Sequence, residues 1–153
     1  MRKTLLVVVV LVLAVGAVVL YDLRRRVLRN NDPAANVVNP ADEDPATRHF
    51  AGFVEGELAV SASFFADADE SGAYQLRYMA TDPRVQGRGY GAAVLAAAER
   101  HLASEGVTRL WANARDSALG FYRRLGWRVI EGSEHISAET QIPHTVIERD
   151  LAT

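Results

Sequence analysis

A glycine loop with the pattern Gln86-x-x-Gly89-x-Gly91 is the first feature of the chain whose residue types point to chemistry. Glycine has no Cβ atom to hold the backbone away from a ligand, so successive N–H groups can converge there on an anion. The start of a following helix adds partial positive charge. A pyrophosphate needs many donors of this kind, and Arg84 and Arg88 are candidate countercharges beside it.

The loop by itself is equally compatible with an ordinary turn. It lacks the Gly-Lys-Ser/Thr ending of a P-loop and the third glycine of a dinucleotide-binding loop. A second feature lies downstream, where residues 118–127 read Ala-Leu-Gly-Phe-Tyr-Arg-Arg-Leu-Gly-Trp. This pattern predicts a helix with an aromatic face that ends at Gly126. Packing in the core would be sufficient to explain Tyr122.

In this order and separation, the two features resemble the GNAT acetyltransferase superfamily. Residues 86–91 resemble its acyl-CoA signature, and residues 118–127 resemble its Phe-Tyr-x-x-x-Gly-aromatic element. Two more segments are similar to the ElaA-like branch: the Leu-Arg-rich residues 23–29, followed by an acidic loop and His49, and residues 142–144 (Ile-Pro-His). The resemblance covers residues 21–153. It implies direct transfer of an acetyl group from acetyl-CoA to a small-molecule or peptide amine, with a non-catalytic acyl-CoA sensor of the same fold as the alternative.

The resemblance also implies which residues form the site. The strand at residues 73–81 would splay from its neighbour at residues 107–111, leaving a cleft for the pantetheine arm and donors for the thioester carbonyl. Tyr122 would donate a proton to the departing thiolate. The positions implied for CoA binding are Met79, Ala80, Thr81, Arg84, Gln86, Gly87, Arg88, Gly89, Tyr90, Gly91, Asn113 and Ser117.

Two positions depart from the family pattern. Arg115 stands where many relatives carry asparagine, and Gln75 stands where some relatives place a glutamate base. An amide is not a useful proton acceptor, so the base must be another side chain or a water held by the site. His144 is the first candidate because a neutral histidine can accept a proton, although it could equally hydrogen-bond to loop backbone. No spacing typical of metal ligands occurs in the sequence, so no metal is expected.

The elements that must position these residues follow from the hydrophobic pattern. The chain begins with strands and continues as strand–helix–strand–helix–strand, which indicates a mixed α/β sheet. The resemblance specifies a mostly antiparallel GNAT-like central sheet with a splayed strand pair and flanking helices. Strands are predicted at residues 50–55, 58–65, 73–81, 107–111, 127–131 and 145–151, and helices at residues 92–104 and from Asp116 or Ser117 to Leu125.

Charged segments outside the motifs suggest less specific roles. The acidic run Asp42-Glu43-Asp44 is expected to be a solvated loop. Arg24, Arg25 and Arg29 would favour an acidic acceptor if they lie near the cleft, or would form a solvated or lipid-facing helix surface. The net charge of −2 gives no indication of a nucleic-acid partner. Because the chain has no cysteine, a disulfide framework and a cysteine nucleophile are both excluded.

The apolar N-terminus, residues 1–21, precedes a predicted acetyltransferase domain at residues 22–153. Residues 4–21 would span about 27 Å as a helix, close to the thickness of a bilayer core. The basic residues that follow would keep the domain cytoplasmic, tethered to the inner face of the membrane. Alternatively, residues 5–12 form a buried strand, with a helix from Ala14 to Arg29. A cleavable signal peptide is the third and weakest interpretation.

Overall fold

The structure is a computed structural model that describes residues 10–151. Eight strands and three α-helices are present in this range, with 3₁₀ turns before α1, α2 and α3. Their bounds are β1 Val10–Val15, α1 Tyr21–Leu28, β2 Arg48–Val54, β3 Glu57–Ala66, β4 Ala73–Thr81, α2 Tyr90–Ser104, β5 Arg109–Arg115, α3 Leu119–Arg124, β6 Arg128–Val129, β7 His135–Ile136 and β8 Pro143–Asp150.

The strands form one sheet in the order β1-β2-β3-β4-β5-β8-β6, with β7 paired to β8. Every pairing is antiparallel except that between β4 and β5, which is parallel. The hairpin between β2 and β3 turns at Glu55 and Gly56, whose φ angles are 52° and 79°. Two consecutive positive φ angles give the tight turn that suits the twist of a two-residue hairpin. The predicted mixed, mostly antiparallel sheet is confirmed.

Helices lie on both sides of the sheet. Successive strand side chains point to opposite faces, so each face has apolar side chains for a helix to cover. On β3, Val60, Ala62 and Phe64 belong to the main apolar cluster with Val94 and Leu95 of α2. The intervening side chains of β3 point to the other face, which α1 covers. That second face is unusually polar for a buried layer, since Ser61 and Ser63 are fully buried there.

The sequence-predicted elements are present, with two shifts that affect the site. The fifth strand covers Arg109–Arg115, not residues 107–111, and therefore extends farther toward Tyr122. Neither Asp116 nor Ser117 caps an α-helix: both lie in a 3₁₀ turn, and the Asp116 carboxylate instead accepts a hydrogen bond from the Thr145 hydroxyl at 2.7 Å. The short strand β7 was not predicted.

Part of the apolar N-terminal segment forms an edge strand. Residues of β1 pair with β2 from Val10 opposite Val54 to Val15 opposite His49. A 3₁₀ turn, Ala17–Leu20, then leads into α1. The strand predicted at residues 5–12 continues to Val15, and residues 5–9 of that prediction fall outside the described residues. Within residues 10–151, no helix has the length and apolarity needed to cross a membrane.

Candidate active site

A cleft opens where β4 and β5 separate. The two strands pair only from Ala73 opposite Arg109 to Gln75 opposite Trp111, and no described strand pairs with the same edge of β4 beyond that point. Tyr78 has a φ of 54°, and the pairing of β4 with β3 is irregular at this level. The separated strands bound a cavity of about 1040 Å³. Along this edge of β4, the backbone groups of residues 76–81 that point toward the cavity have no partner among the described strands, although the opposite edge is paired with β3.

The glycine loop lies at one end of this cavity. Gly87 and Gly89 have φ angles of 76° and 83°, which side chains larger than hydrogen rarely adopt. Gly91, in the first turn of α2, leaves little room for a side chain: an added Cβ would lie 3.1 Å from Thr81 Oγ1 and 3.4 Å from Met79 Cε. The first turn of a helix has N–H groups without intrahelical partners. The loop thus presents free donors close to the open edge of β4.

The two arginines proposed to assist this loop do not line the cleft. Arg84 is turned toward Asp82, whose carboxylate it contacts at 2.9 Å, with Glu57 farther away at 3.8 Å. Arg88 lies on a smaller surface depression on the other side of the loop. Of the predicted loop residues, the structure brings Gln86, Gly87, Gly89, Tyr90 and Gly91 to the cleft. The prediction of a pyrophosphate countercharge from Arg84 or Arg88 has no support from their positions.

Tyr122 reaches the cleft from α3. Its ring makes edge contacts with Phe121 and Trp127, with centroids 5.1 Å and 5.4 Å away. The residue is buried, and burial alone raises its pKa well above the ordinary value of 10.0. The hydroxyl therefore keeps its proton at neutral pH. A fixed, protonated phenol in a cleft can act as a proton donor.

His144, at the start of β8, lines the opposite part of the cleft. Its Nδ1 lies 2.8 Å from the carbonyl oxygen of Ile142. Because a carbonyl oxygen can only accept, Nδ1 is the donor, and in the neutral ring Nε2 is left as an acceptor. The backbone hydrogen bond that was considered an alternative role is present, and it leaves the other nitrogen able to accept a proton.

Several cleft residues were missed by sequence reasoning. The end of α1 contributes Val27 and Leu28, and β4 contributes Arg77. Arg29, which the sequence had already suggested, follows α1 and also lines the cleft. Residues 137–140, here termed the strap, also line the cleft. Glu139 of the strap binds Arg29 at 2.6 Å and Arg77 at 3.0 Å. Only Arg77 carried a usable signal, since it is two residues from Gln75 and shares its strand face.

Two predictions about charged segments were wrong. Asp42 is not solvated: its carboxylate is buried against the buried guanidinium of Arg24 at 2.9 Å. Arg24 therefore lies beneath the sheet face and not at the cleft, and its guanidinium stacks on the Tyr78 ring at 4.0 Å. His49 is also buried, with its Nδ1 2.7 Å from Ser63 Oγ, and does not line the cleft.

Comparison with known proteins decides the family. The sequence profile of the acetyltransferase (GNAT) family matches residues 18–127, more than half of the chain. The Bacillus subtilis (strain 168) protein described as "Uncharacterized N-acetyltransferase YitI" is 33% identical over 112 residues, 71% of this chain and 75% of the relative. This chain belongs to the GNAT acetyltransferase family. It is an acyl-CoA-dependent N-acetyltransferase, as the paired glycine and Phe-Tyr motifs implied.

Solved structures show the same fold for this GNAT chain. Escherichia coli ElaA superposes with a TM-score of 0.74 at 16% identity, over 93% of this chain and 99% of that one. An aminoglycoside 6'-N-acetyltransferase complexed with coenzyme A superposes with a TM-score of 0.72 at 12% identity, over 94% and 98% of the two chains. At these identities the likeness concerns the fold alone, so the ElaA-like branch remains an expectation.

Proposed function

We propose that this GNAT chain holds acetyl-CoA between β4 and β5 and transfers the acetyl group directly to an amine, with His144 as base and Tyr122 as acid. The observation that carries the proposal is the open edge of β4 beyond Gln75, bounded by a glycine loop at one end and Tyr122 and His144 within the same cleft. Acetyl-CoA supplies an activated thioester. The residues of the chain supply binding, orientation and proton transfer.

The proposed binding of acetyl-CoA depends on a backbone conformation that residues larger than glycine would disrupt. Free N–H groups of residues 87–91 suit a pyrophosphate. Gly87 and Gly89 line the cleft in a backbone conformation with positive φ that larger residues rarely adopt. The unpaired edge of Met79, Ala80 and Thr81 suits the amides of an extended pantetheine arm, which would pair with it as a strand would. Asn113 and Ser117 line the facing wall and can hydrogen-bond to the same arm.

Each turnover moves one proton from the amine to His144 and one proton from Tyr122 to the departing sulfur. The amine nitrogen loses one proton to Nε2 of His144 as it bonds to the thioester carbon. The carbon–sulfur bond breaks, and the sulfur takes a proton from the Tyr122 hydroxyl. Donors on β4 face the carbonyl oxygen, where negative charge grows in the transition state, and therefore act most strongly there. Solvent returns the proton from His144 to Tyr122 between turnovers. Holding the two reactants together contributes much of the remaining rate.

Residues 10–21 belong, in this proposal, to the acetyltransferase domain and not to an anchor. Support comes from the six-residue pairing of β1 with β2 and from burial of Ala17 and Leu20 against the fold. Membrane fractionation of cells expressing the full chain tests the assignment. Release of the protein by a carbonate wash would agree with it, and retention in the membrane pellet would show that the N-terminal segment acts as an anchor.

The activity is tested with the full chain, acetyl-CoA and a panel of primary amines of different charge. We expect one free thiol per acetylated amine, measured by thiol titration and by mass spectrometry of the product. Thiol release without acetylated product would indicate hydrolysis. CoA binding without transfer to any amine would favour the non-catalytic sensor.

A further inference from the structure

The acceptor end of the cleft is rich in arginine. The side chains of Arg29, Arg77, Arg115 and Arg124 line the cleft, whereas Glu139 is the only acidic residue that lines it among residues 10–151. Arg124 lies on α3 next to Gly120, apart from the other three. The remaining three arginines converge on the end of α1 and the strap. Three cations with one carboxylate leave an excess of positive charge at this end.

The contacts of Arg29 and Arg115 show how close these cations are. Arg29 Nη1 donates to the Leu28 carbonyl oxygen at 3.0 Å, and Arg115 Nη2 approaches the same oxygen at 3.5 Å. One carbonyl oxygen is therefore within hydrogen-bond distance of two guanidinium groups. Glu139 compensates the charge of Arg29 at 2.6 Å, but a carbonyl dipole alone does not neutralise Arg115, and an anion would.

A carboxylate already occupies part of this cluster. Glu139 uses one oxygen for Arg29 and the other for Arg77, so this end of the cleft has the geometry that a carboxylate requires. Arg115 makes no ion pair with any residue in the range 10–151 and is only half-buried. It lies opposite His144 in the β5–β8 register, beside the candidate base. A substrate carboxylate beside Arg115 would have this guanidinium as its cationic partner. The amine of the same substrate would then lie near His144, the candidate proton acceptor.

We propose that the amine acceptor carries a carboxylate, which Arg115 binds together with Arg29 while the amine faces His144. This inference rests on the proposed function and names its substrate class. It excludes polycationic amines as preferred substrates, because they would meet the same positive charge. Arg24 and Arg25, considered from the sequence for the same role, do not line the cleft.

The test compares matched amines with the full chain and saturating acetyl-CoA. The probes are unbranched ω-amino acids of three to six carbons, each measured against its carboxamide and against the diamine of equal length. At the best length, kcat/KM for the carboxylate should exceed that for the carboxamide by about 10-fold to 100-fold, the range expected for hydrogen bonds to a charged group. Equal use of the carboxamide, or preference for the diamine, would overturn the proposal.

Substitution then locates the preference. Arg115→Gln should remove the carboxylate preference, so that kcat/KM for the carboxylate falls to about the value for the carboxamide. Arg115→Glu should reverse it in favour of the diamine. Arg100→Gln, on the exposed surface of α2, is the matched loss of one positive charge and should keep the preference. A change in CoA affinity without a change in preference would assign Arg115 to the donor and refute the inference.

A binding assay separates this inference from the proposed function. The CoA-loaded protein is titrated with N-acetyl-5-aminopentanoate and with its carboxamide, followed by NMR of the arginine side chains. Selective binding of the carboxylate, lost in Arg115→Gln, would support the anion site even if no amine were acetylated. Absence of selective binding by the wild-type protein would overturn the inference, while amine acetylation in the first assay would leave the proposed function intact.

Discussion

The buried ion pair between Arg24 and Asp42 gives the sharpest prediction about stability. In Asp42→Asn the side chain keeps its shape but loses its charge, and Arg24 stays in place with both side chains only 1% exposed. Asp42 accepts from Arg24 at 2.9 and 3.1 Å and from the Asn39 N–H at 2.8 Å. In Asp42→Asn the amide –NH₂ either faces an N–H donor of Arg24 or Asn39, or one of these three hydrogen bonds is lost.

The expected cost follows from the uncompensated charge. Breaking a buried ion pair by removing one partner costs about 3–5 kcal/mol, out of a total of about 5–15 kcal/mol for an ordinary domain. With a urea m-value of about 2 kcal/mol/M, the unfolding midpoint should fall by about 1.5–2.5 M. Glu43→Gln, one residue away on the exposed side of the same acidic run, removes the same charge and should change the free energy of unfolding by less than about 0.5 kcal/mol.

Equilibrium urea unfolding, followed by tryptophan fluorescence and circular dichroism, measures both variants beside the wild-type chain. Equal midpoints for Asp42→Asn and Glu43→Gln would refute the reasoning, because Asp42 would then behave as the solvated carboxylate that the sequence suggested. A change in the m-value without a change in the midpoint would indicate an altered unfolded state. That result would also contradict the expected loss of native-state stability.

Further outcomes follow from the same contacts. Burial raises the pKa of Asp42, but hydrogen bonds from Arg24 and Asn39 and the charge of Arg24 outweigh it and hold the pKa below 3.8. The pair thus contributes fully above that pH and is lost as pH falls through the folded-state pKa, so the stability difference between wild type and Asp42→Asn should shrink below about pH 4. Tyr122→Phe should lower kcat about 100-fold or more and spare the CoA dissociation constant; full turnover would remove Tyr122 from the mechanism. His144→Gln should lower kcat/KM by a similar factor while free hydroxylamine, a nucleophile that needs little base assistance, loses much less; equal losses would show that His144 only shapes the loop.

The motifs of the cleft were predictable from the sequence because each one depends on residues that are close together in the chain. The glycine loop, Tyr122 and the β4 segment each depend on residue types within a short stretch, and each lies in the cleft. The strand β5 was placed too early because two of its three buried positions, Ala112 and Ala114, are small and give a weak hydrophobic alternation. Such a strand is defined by its pairing with β8, which the pattern of a single segment does not report.

Long-range polar pairing explains the remaining differences. Arg24 and Asp42 are separated by 18 residues, and Arg77 and Glu139 by 62 residues. In each pair, both residues have the appearance of ordinary surface charges when taken alone. Only the fold decides which of them is buried: Asp42 lies beneath the sheet face with Arg24, while Glu43 next to it is exposed. At the acceptor end of the cleft, the pairing of Glu139 with Arg29 and Arg77 is of this long-range kind, so the sequence contained less information there than at the glycine loop.

Calorimetric titration of the full chain with CoA tests the donor site most directly. We expect one binding site per chain, with CoA affinity weakened about tenfold or more in Gly89→Ala. A side chain at a φ of 83° costs about 1–2 kcal/mol of backbone strain and displaces the loop. Gly106→Ala is the matched control, with a φ of 89° and equally open space, at the far end of α2. It should bind CoA as the wild-type chain does. Absence of binding to the wild-type chain at high CoA concentration would contradict the proposal that the chain binds acetyl-CoA. Equal CoA affinity in Gly89→Ala and the wild-type chain would contradict the placement of CoA at the glycine loop.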